Sequence, residues 1–236
     1  MTALDGRVVA IAGAAGGLGP AVARELASQG ATLALTDRDQ SRLDQVVADL
    51  NLPDDRVDAR VVDLLDQDAT RAWADALTER FGQVDGVAHL VGGWRGGQPL
   101  GEAPLEDWAL LHDLLVRTVQ HTSRAFLPAL KASGRGRFVL VSAKAASEPT
   151  SSNAAYAAAK AAAEAWTLAL ADELAGTGAT ANILVVNAIL TARMQAENPD
   201  KGYPSFTHAD DLAAAIGFVL GDHAARMNGK RIRLHP

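Results

Sequence analysis

The amino-acid sequence predicts a single doubly wound α/β domain, in which a mostly parallel seven-stranded sheet carries helices on both faces. Two observations predict this class. Short apolar runs alternate with longer segments of helical periodicity, which is the pattern of repeated βαβ units. Most of the short runs are continuously apolar, as in strands that a parallel sheet buries on both faces. No linker divides the chain, so the domain is expected to span residues 1–236.

The elements follow one another in regular order along the chain. The predicted strands are Arg7–Ala12, Thr32–Thr36, Val57–Val62, Gly86–Val91, Arg137–Val141, Ala181–Val186 and Lys230–Leu234. The predicted helices are Gly17–Gln29, Gln40–Leu50, Gln67–Phe81, Pro104–Ala132, Asn153–Ala175 and His208–Leu220. Several helical segments are followed by a glycine, at the position where a left-handed residue ends a helix. These glycines are Gly30, Gly82, Gly134 and Gly176.

One segment after the sixth predicted strand has no clear periodicity. Residues 192–206 contain two prolines and a glycine. We expect this segment to be a lid or substrate loop, and the alternative is an ordinary crossover connection.

The composition excludes several classes of protein. The chain has 22 basic and 28 acidic residues, a net charge of −6 and no basic run, so nucleic acid is not an expected partner. It has no cysteine, which excludes disulfides, thiolate metal sites and thiol nucleophiles. Its six histidines show no metal-binding spacing, so no metal site is predicted.

The sequence also predicts where the protein resides. The N-terminus reaches a predicted strand too soon for a signal peptide. No apolar run approaches the roughly 20 residues that a membrane span requires. A cytoplasmic protein with no membrane contact is therefore expected.

A glycine-rich segment joins the first predicted strand to the first predicted helix. It reads Gly13-Ala-Ala-Gly-Gly17-Leu18-Gly19. Glycines at such a turn let the backbone approach a pyrophosphate, which then lies at the N-terminus of the helix. Gly13, Gly17, Leu18 and Gly19 are therefore predicted to bind a dinucleotide.

Acidic residues stand at the ends of the second and third predicted strands. A carboxylate at Asp37 would accept the ribose hydroxyls of NAD and repel the 2′-phosphate of NADP. Arg38 argues the other way, because a guanidinium can hold that phosphate. The glycine segment carries no basic residue, so NAD(H) is favoured over NADP(H). Asp63 and Leu64 are placed to contact the adenine, and the alternative for Asp63 is an N-cap of the next helix.

Tyr156 and Lys160 lie about 140 residues after the glycine segment. Helical residues at i and i+4 share one face, so the ammonium can stand beside the phenol. A phenol with a pKa of ~10 is a poor acid–base catalyst at neutral pH, and a neighbouring cation favours the phenolate. The pair is predicted to be catalytic. The alternative is a chance pair on an alanine-rich helix.

These motifs resemble those of the short-chain dehydrogenase/reductase family from Arg7 to about Leu234. The resemblance implies a Rossmann-type domain, an NAD(P) cofactor and a small-molecule substrate. In that family the tyrosine exchanges a proton and the lysine contacts the nicotinamide ribose, which implies these roles for Tyr156 and Lys160. The family's Asn-Asn-Ala-Gly segment falls on residues 89–92 and keeps only Gly92, and its Pro-Gly after the sixth strand is Val186-Asn187. Its threonine that meets the carboxamide is kept as Thr191.

The resemblance also implies a homodimer or homotetramer, formed through the 104–132 and 153–175 helices. The second helix is rich in alanine at positions 154, 155, 157–159, 161–163 and 165. Such small side chains let another helix approach closely.

Two positions depart from the family pattern. The catalytic serine falls on Ala143, and the asparagine of the proton relay falls on Leu115. Ser142 is adjacent, but successive strand residues point to opposite faces, so it would need a local twist to serve. Loss of an oxyanion donor typically costs roughly 2.7–4 kcal/mol of transition-state stabilisation.

Residues 91–97 and 143–146 are similar to those of the quinonoid dihydropteridine reductase subgroup, which lacks both groups and prefers NADH. A conjugated quinonoid ring needs a proton source but has no isolated ketone oxygen to hold. The resemblance implies that Trp94, Ala143 and Tyr156 bind the substrate, with Trp94 stacking on a flat ring. The alternative for Trp94 is an aromatic cap over the sheet edge.

The sequence therefore predicts an NAD(P)-dependent oxidoreductase that moves hydride between nicotinamide and a small carbonyl, alcohol or quinonoid substrate. The competing hypothesis is a dinucleotide-binding sensor or structural subunit with little turnover. Ala143 and Leu115 motivate that alternative, while the intact Tyr156–Lys160 pair argues against it.

Overall fold

The seven predicted strands form one sheet in the computed structural model, which describes residues 3–235. The strands are β1 (Val8–Ala12), β2 (Thr32–Asp37), β3 (Val57–Val61), β4 (Gly86–His89), β5 (Arg137–Ala143), β6 (Thr180–Val186), β7 (Ala188–Leu190), β8 (Phe206–His208) and β9 (Arg231–Arg233). The sheet has the order β3-β2-β1-β4-β5-β6-β9 with every pair parallel, and β7 and β8 pair separately. The order reverses direction between β1 and β4, which is where such sheets open a ligand crevice.

Helices cover both faces of this sheet, which confirms the doubly wound class. They are α1 (Gly19–Ser28), α2 (Gln40–Leu50), α3 (Gln67–Phe81), α4 (Glu106–His112), α5 (Thr118–Ala132), α6 (Ala154–Glu173), α7 (Ala192–Glu197) and α8 (Ala209–Leu220). The core on one face joins α1, α2 and α8, and the core on the other face joins α3, α5 and α6. The apolar strands contribute side chains to both cores, because successive residues of a strand point to opposite faces of the sheet.

Three elements differ from the sequence prediction. The helix predicted over 104–132 is divided, because a π-helical turn over Asp113–Arg117 separates α4 from α5. The strand predicted over 86–91 ends at His89, after which the chain enters the glycine-rich loop. Residues 192–206 are not wholly irregular, since they begin with α7 and end at the first residue of β8. Their apolar residues are too few for the periodicity to show in sequence.

The alternation of side chains along β5 positions the candidate site. Phe138 and Leu140 belong to the core that contains α6, while Val139 and Val141 belong to the core that contains α8. The same alternation directs Ser142 towards α6.

Candidate active site

The glycine turn between β1 and α1 is closely packed. Gly13 has a φ of +86°, and a Cβ there would lie 3.0 Å from the backbone nitrogen of Val91. A Cβ on Gly19 would lie 2.0 Å from the carbonyl oxygen of Ala14, whereas one on Gly17 would lie 3.3 Å from Cγ2 of Thr191. Backbone conformation at Gly13 and close approach at Gly19 therefore call for glycine, while Gly17 meets only a side-chain methyl group.

The turn also offers hydrogen-bond donors that a pyrophosphate can use. Leu18 is the N-cap of α1 and makes no side-chain cap, and Pro20 follows at the start of the helix. Within residues 3–235, neither the Gly17 N–H nor the Leu18 N–H has a protein acceptor. Free N–H groups at the positive end of a helix dipole suit an anion. The residues present therefore fit the dinucleotide that the sequence predicts.

Asp37 ends β2 beside this turn. Its Oδ2 accepts from the backbone N–H of Ala15 at 3.0 Å, and its Oδ1 accepts from that of Arg38 at 2.8 Å. Arg42, in the first turn of α2, donates to the carbonyl oxygen of Ala15. A cation therefore contacts the glycine turn although the turn itself contains none, and sequence reasoning missed it.

Asp63 lines the cavity described below, and the N-cap alternative for it is wrong. The residue that caps α3 is Asp66, whose side chain accepts from the N–H groups of Asp68 and Ala69. Asp63 instead accepts from the N–H of Leu65 at 3.0 Å. Leu64 is buried, and its carbonyl oxygen accepts from His121.

Tyr156 and Lys160 share one face of α6, as the i, i+4 spacing predicts. The Lys160 ammonium lies 6.0 Å from the centre of the Tyr156 ring and donates to the carbonyl oxygen of Val141 at 2.9 Å. Burial raises the pKa of Tyr156 to about 12. Burial also lowers the pKa of Lys160 to about 8, against the opposing effect of Glu164. The phenol is therefore protonated at neutral pH, and the expected lowering of its pKa by the lysine does not outweigh burial in this geometry.

The two departures from the family pattern occupy different environments. Ala143 is buried and lines the cavity, so position 143 offers no hydroxyl. Ser142 also lines the cavity, but its hydroxyl donates to Glu164 at 2.6 Å. Leu115 packs in a small apolar cluster with Leu111, Val116 and Ala159. An asparagine amide at position 115 would find no hydrogen-bond partner among these apolar side chains.

A single cavity of about 540 Å³ at the carboxyl ends of the strands brings the predicted site residues together. This volume suits a small-molecule site. The predicted residues that line it are Gly13, Gly17, Leu18, Asp37, Arg38, Asp63, Leu64, Gly92, Trp94, Ala143, Tyr156, Lys160 and Thr191. Gly19 does not line it, and a Cβ there would meet Ala14.

Trp94 stands at the edge of this cavity with 55% of its surface exposed. Its indole packs on Gly96 and Gly97, where a Cβ would meet ring atoms at 3.1 and 3.5 Å respectively. The loop is held by the N–H of Gly97, which donates to the carbonyl oxygen of Ser152 at 2.8 Å. The aromatic face is therefore presented by a glycine loop tied to the segment before α6.

Thr191 follows β7 and caps α7. Its hydroxyl accepts from the N–H of Met194, and its methyl group lies close to Gly17. This places the threonine beside the glycine turn, at the start of the segment over 192–206.

Several cavity residues were not predicted. They are Gly16, Val62, Leu65, Leu90, Val91, Gly93, Leu114, Thr118, Val141, Ser142, Val186, Asn187, Ala188 and Ile189. Asn187 was visible as the residue in place of the family glycine, and its amide donates to Ser205 in the loop at 3.1 Å. Thr118 contacts the buried His89 at 3.3 Å. Burial, with a smaller effect of Lys160, lowers the pKa of His89 to about 3, so this imidazole is neutral.

Within residues 3–235 no group of three or more metal-ligating side chains comes together. None of the helices in the same range has the length and apolar character that crossing a bilayer requires.

Known proteins are similar to this chain in sequence and in architecture. The family model for short chain dehydrogenases matches residues 7–202. The chain belongs to the short-chain dehydrogenase family. An uncharacterized oxidoreductase of Staphylococcus epidermidis is 28% identical over all 236 residues and over its own full length. The 2,3-dihydro-2,3-dihydroxybenzoate dehydrogenase of Bacillus subtilis is 33% identical over 77% of this chain and 69% of its own.

Solved structures of the family have the same fold. A short-chain oxidoreductase of Pseudomonas aeruginosa, described as containing an atypical catalytic centre, is 25% identical. It superposes with a TM-score of 0.88 over 98% of this chain and 96% of that chain. The protein is therefore an oxidoreductase of the short-chain type, whose family uses NAD or NADP.

Proposed function

We propose that the protein transfers hydride between NAD(H) and a small carbonyl, alcohol or quinonoid substrate, with Tyr156 as the acid–base residue. The observation that carries this proposal is that Tyr156 and Lys160 face the same cavity as the glycine turn. Bound there, the nicotinamide supplies or accepts the hydride. What this chain contributes is the binding of the dinucleotide, the orientation of the substrate and the movement of one proton.

Tyr156 carries the proton. Its phenol is protonated at neutral pH, because burial raises its pKa to about 12. In the reductive direction the hydroxyl donates its proton to the substrate atom that becomes electron-rich. The Lys160 ammonium, 6.0 Å from the ring, stabilises the phenolate that remains.

Lys160 has to be charged for this role. Its ammonium group lines the cavity, and we propose that it also contacts the nicotinamide ribose. Since burial lowers the pKa of Lys160 to about 8, the charge is present below that pH and is lost above it. We therefore expect turnover to fall as the pH rises through about 8.

The proposed preference for NAD rests on Asp37. A carboxylate at the cavity wall repels a 2′-phosphate and accepts ribose hydroxyls. Arg38 and Arg42 lie close by, so the preference depends on the charge of Asp37. Fluorescence titration with NADH and NADPH tests it, and equal or tighter NADPH binding contradicts it.

The proposed substrate is a ring already polarised by conjugation, such as a quinonoid dihydropterin. Ala143 gives no hydroxyl to an isolated ketone oxygen, and the hydroxyl of Ser142 donates to Glu164. Trp94 offers an exposed aromatic face at the cavity edge. The alternative of a non-catalytic sensor is not favoured, because the named relatives are dehydrogenases and the Tyr156–Lys160 pair is intact.

A spectrophotometric screen tests the proposal. NADH oxidation is followed with ketones, quinones and quinonoid dihydropterin as separate substrates. Turnover of the conjugated substrates above the ketones supports the assignment. Activity on ketones with none on the pterin rejects the pterin assignment, and NADH binding without any turnover favours the sensor.

A further inference from the structure

We propose that Glu164 is a positioning residue for Lys160, which fixes the end of β5 on which the ammonium rests and holds positive charge at the floor of the cavity. The inference rests on the proposed catalytic role of Lys160. It concerns a side chain that does not line the cavity.

The first observation is the placement of the three side chains on α6. Tyr156, Lys160 and Glu164 follow one another at intervals of four residues, so they share one face of the helix. Lys160 is 6% exposed and Glu164 is 4% exposed. A buried carboxylate therefore lies one turn beyond the buried ammonium.

The second observation is that both side chains hold consecutive residues of β5. Lys160 donates to the carbonyl oxygen of Val141 at 2.9 Å, and Glu164 accepts from the hydroxyl of Ser142 at 2.6 Å. The next residue is Ala143, which forms the cavity wall. Glu164 thereby fixes the strand end that both supports the ammonium and faces the substrate.

The third observation is the partner of the second carboxylate oxygen. Oε2 of Glu164 lies 2.6 Å from the guanidinium of Arg231, which is on β9 at the edge of the sheet. The carboxylate therefore pairs with Arg231, whose side chain is 39% exposed, and acts on the buried Lys160 one helical turn away through its charge. A buried charge without a partner is strongly unfavourable, so this arrangement accounts for the burial of Glu164.

The charged and titratable groups around Lys160 are few. From α6 come Tyr156 and Glu164, from β4 comes the neutral His89, and from β9 comes Arg231 through its contact with Glu164. In the described part of the chain, Glu164 is the group whose charge raises the pKa of Lys160 against the effect of burial. Removing its charge should favour neutral lysine at lower pH.

The experiment is a titration of the Lys160 ammonium by nitrogen-15 NMR on the lysine-labelled full chain. Lys160→Arg identifies its resonance. The wild-type midpoint is expected near the value of about 8 given above, and Glu164→Gln is expected to lower it by about one unit or more. Glu164→Asp keeps the charge and should recover most of that shift. An unchanged midpoint in Glu164→Gln overturns the proposal.

Two further variants separate this role from simple packing. Glu173 lies on the same helix but is exposed and pairs with Lys131, so Glu173→Gln should leave the midpoint unchanged. Arg231→Gln is expected to raise the midpoint, because it removes a positive charge that pairs with Glu164, and the carboxylate then stabilises the Lys160 ammonium more strongly. A downward shift in Arg231→Gln contradicts the electrostatic role.

A folding failure of Glu164→Gln is covered by a paired variant. Glu164→Gln with Arg231→Gln leaves no unpaired ion at β9, and its midpoint is expected to lie below that of Arg231→Gln, because the two proteins differ only in the charge of Glu164. The titration needs no turnover. Absence of activity in the wild-type protein would reject the proposed function alone, whereas equal midpoints in the paired variant and in Arg231→Gln would reject the role of Glu164 alone.

Discussion

At the scale of single residues, the proposed proton transfer depends on one hydroxyl. The chain has two tyrosines, and Tyr156 is the one that lines the cavity. Tyr156→Phe removes the hydroxyl and keeps the ring, so turnover should fall by at least about 10²-fold while NADH affinity stays within a few fold. Steady-state kinetics and fluorescence titration measure the two effects.

Tyr203→Phe is the matched control for this change. Its hydroxyl donates to the carbonyl oxygen of Met194 in the 192–206 segment, and Tyr203 does not line the cavity. Near-normal turnover in Tyr156→Phe would show that the acid–base assignment is wrong. Lys160→Ala should impair both turnover and cofactor binding, because it removes the cation and a predicted ribose contact.

Position 143 decides between the two kinds of substrate. If the substrate is an isolated ketone, Ala143→Ser adds the missing donor and should raise turnover by the order of 10² that one oxyanion donor contributes. If the substrate is a quinonoid ring, the change should add little, because the extra atom only crowds the buried site. We expect the second result, measured as kcat/KM on a ketone and on quinonoid dihydropterin. A large gain on the pterin would contradict the explanation given for Ala143.

At the scale of elements, the glycine turn and α1 are locked by one close approach. A Cβ at position 19 would lie 2.0 Å from the carbonyl oxygen of Ala14, which is backbone and cannot move aside alone. Gly19→Ala should therefore reduce the free energy of unfolding by at least the roughly 1–3 kcal/mol that overpacking costs. Denaturant unfolding measures it.

Gly101→Ala is the control, since a Cβ there has nothing within 4 Å. Its free energy of unfolding should stay within about 0.5 kcal/mol of the wild type, as for ordinary surface substitutions. Equal stability of Gly19→Ala and Gly101→Ala would mean that the turn is looser than described.

The first and last residues of a helix could be predicted from the sequence where capping residues mark its two ends. The predicted limits of α2 and α3 are confirmed, because Asp39 and Asp66 cap their first turns and Asn51 and Gly82 adopt positive φ at their ends. The π-helical turn has no signal in the local sequence pattern. The helix α7 was missed because it is six residues long, too short for helical periodicity to show, although Thr191 caps its first turn.

The residues of the candidate site also divide into those that the sequence marks and those that it does not. The glycine turn, Asp37 and the Tyr156–Lys160 pair are visible because backbone geometry and helical spacing require those residue types at fixed intervals. Arg42 reaches the glycine turn only through a contact between elements, so nothing in its own neighbourhood of the sequence marks it. Glu164 continues the four-residue spacing of Tyr156 and Lys160, but its contact with Ser142 on β5 joins two elements and is not visible in the sequence.

At the scale of the whole molecule, the predicted oligomer involves the outer face of α6. Ala157, Ala159 and Ala163 are buried within the protomer and cannot serve an interface, whereas Ala158 and Ala165 are exposed. We expect a dimer or tetramer at micromolar concentration by light scattering. Ala165→Glu should shift it towards monomer, because a charge would be buried in the contact.

Ala225→Glu is the control, because that alanine is exposed beyond α8 and remote in sequence from the predicted interface. It should leave the mass unchanged. A monomeric wild-type protein at micromolar concentration would contradict the prediction, as would an unchanged oligomer in Ala165→Glu.

The π-helical turn over 113–117 has a consequence for how the molecule tolerates changes in length. Its defining bond joins the N–H of Thr118 to the carbonyl oxygen of Asp113, which is one residue further than in an α-helix. Deleting one residue there would make α4 and α5 continuous and rotate one against the other by about 100°. The buried faces of Leu111 and Phe126 could then no longer meet their cores together. The extra residue thus sets the rotation of α5 about the helix axis relative to α4. The chain can therefore lose a residue from an exposed loop far more readily than from this helix.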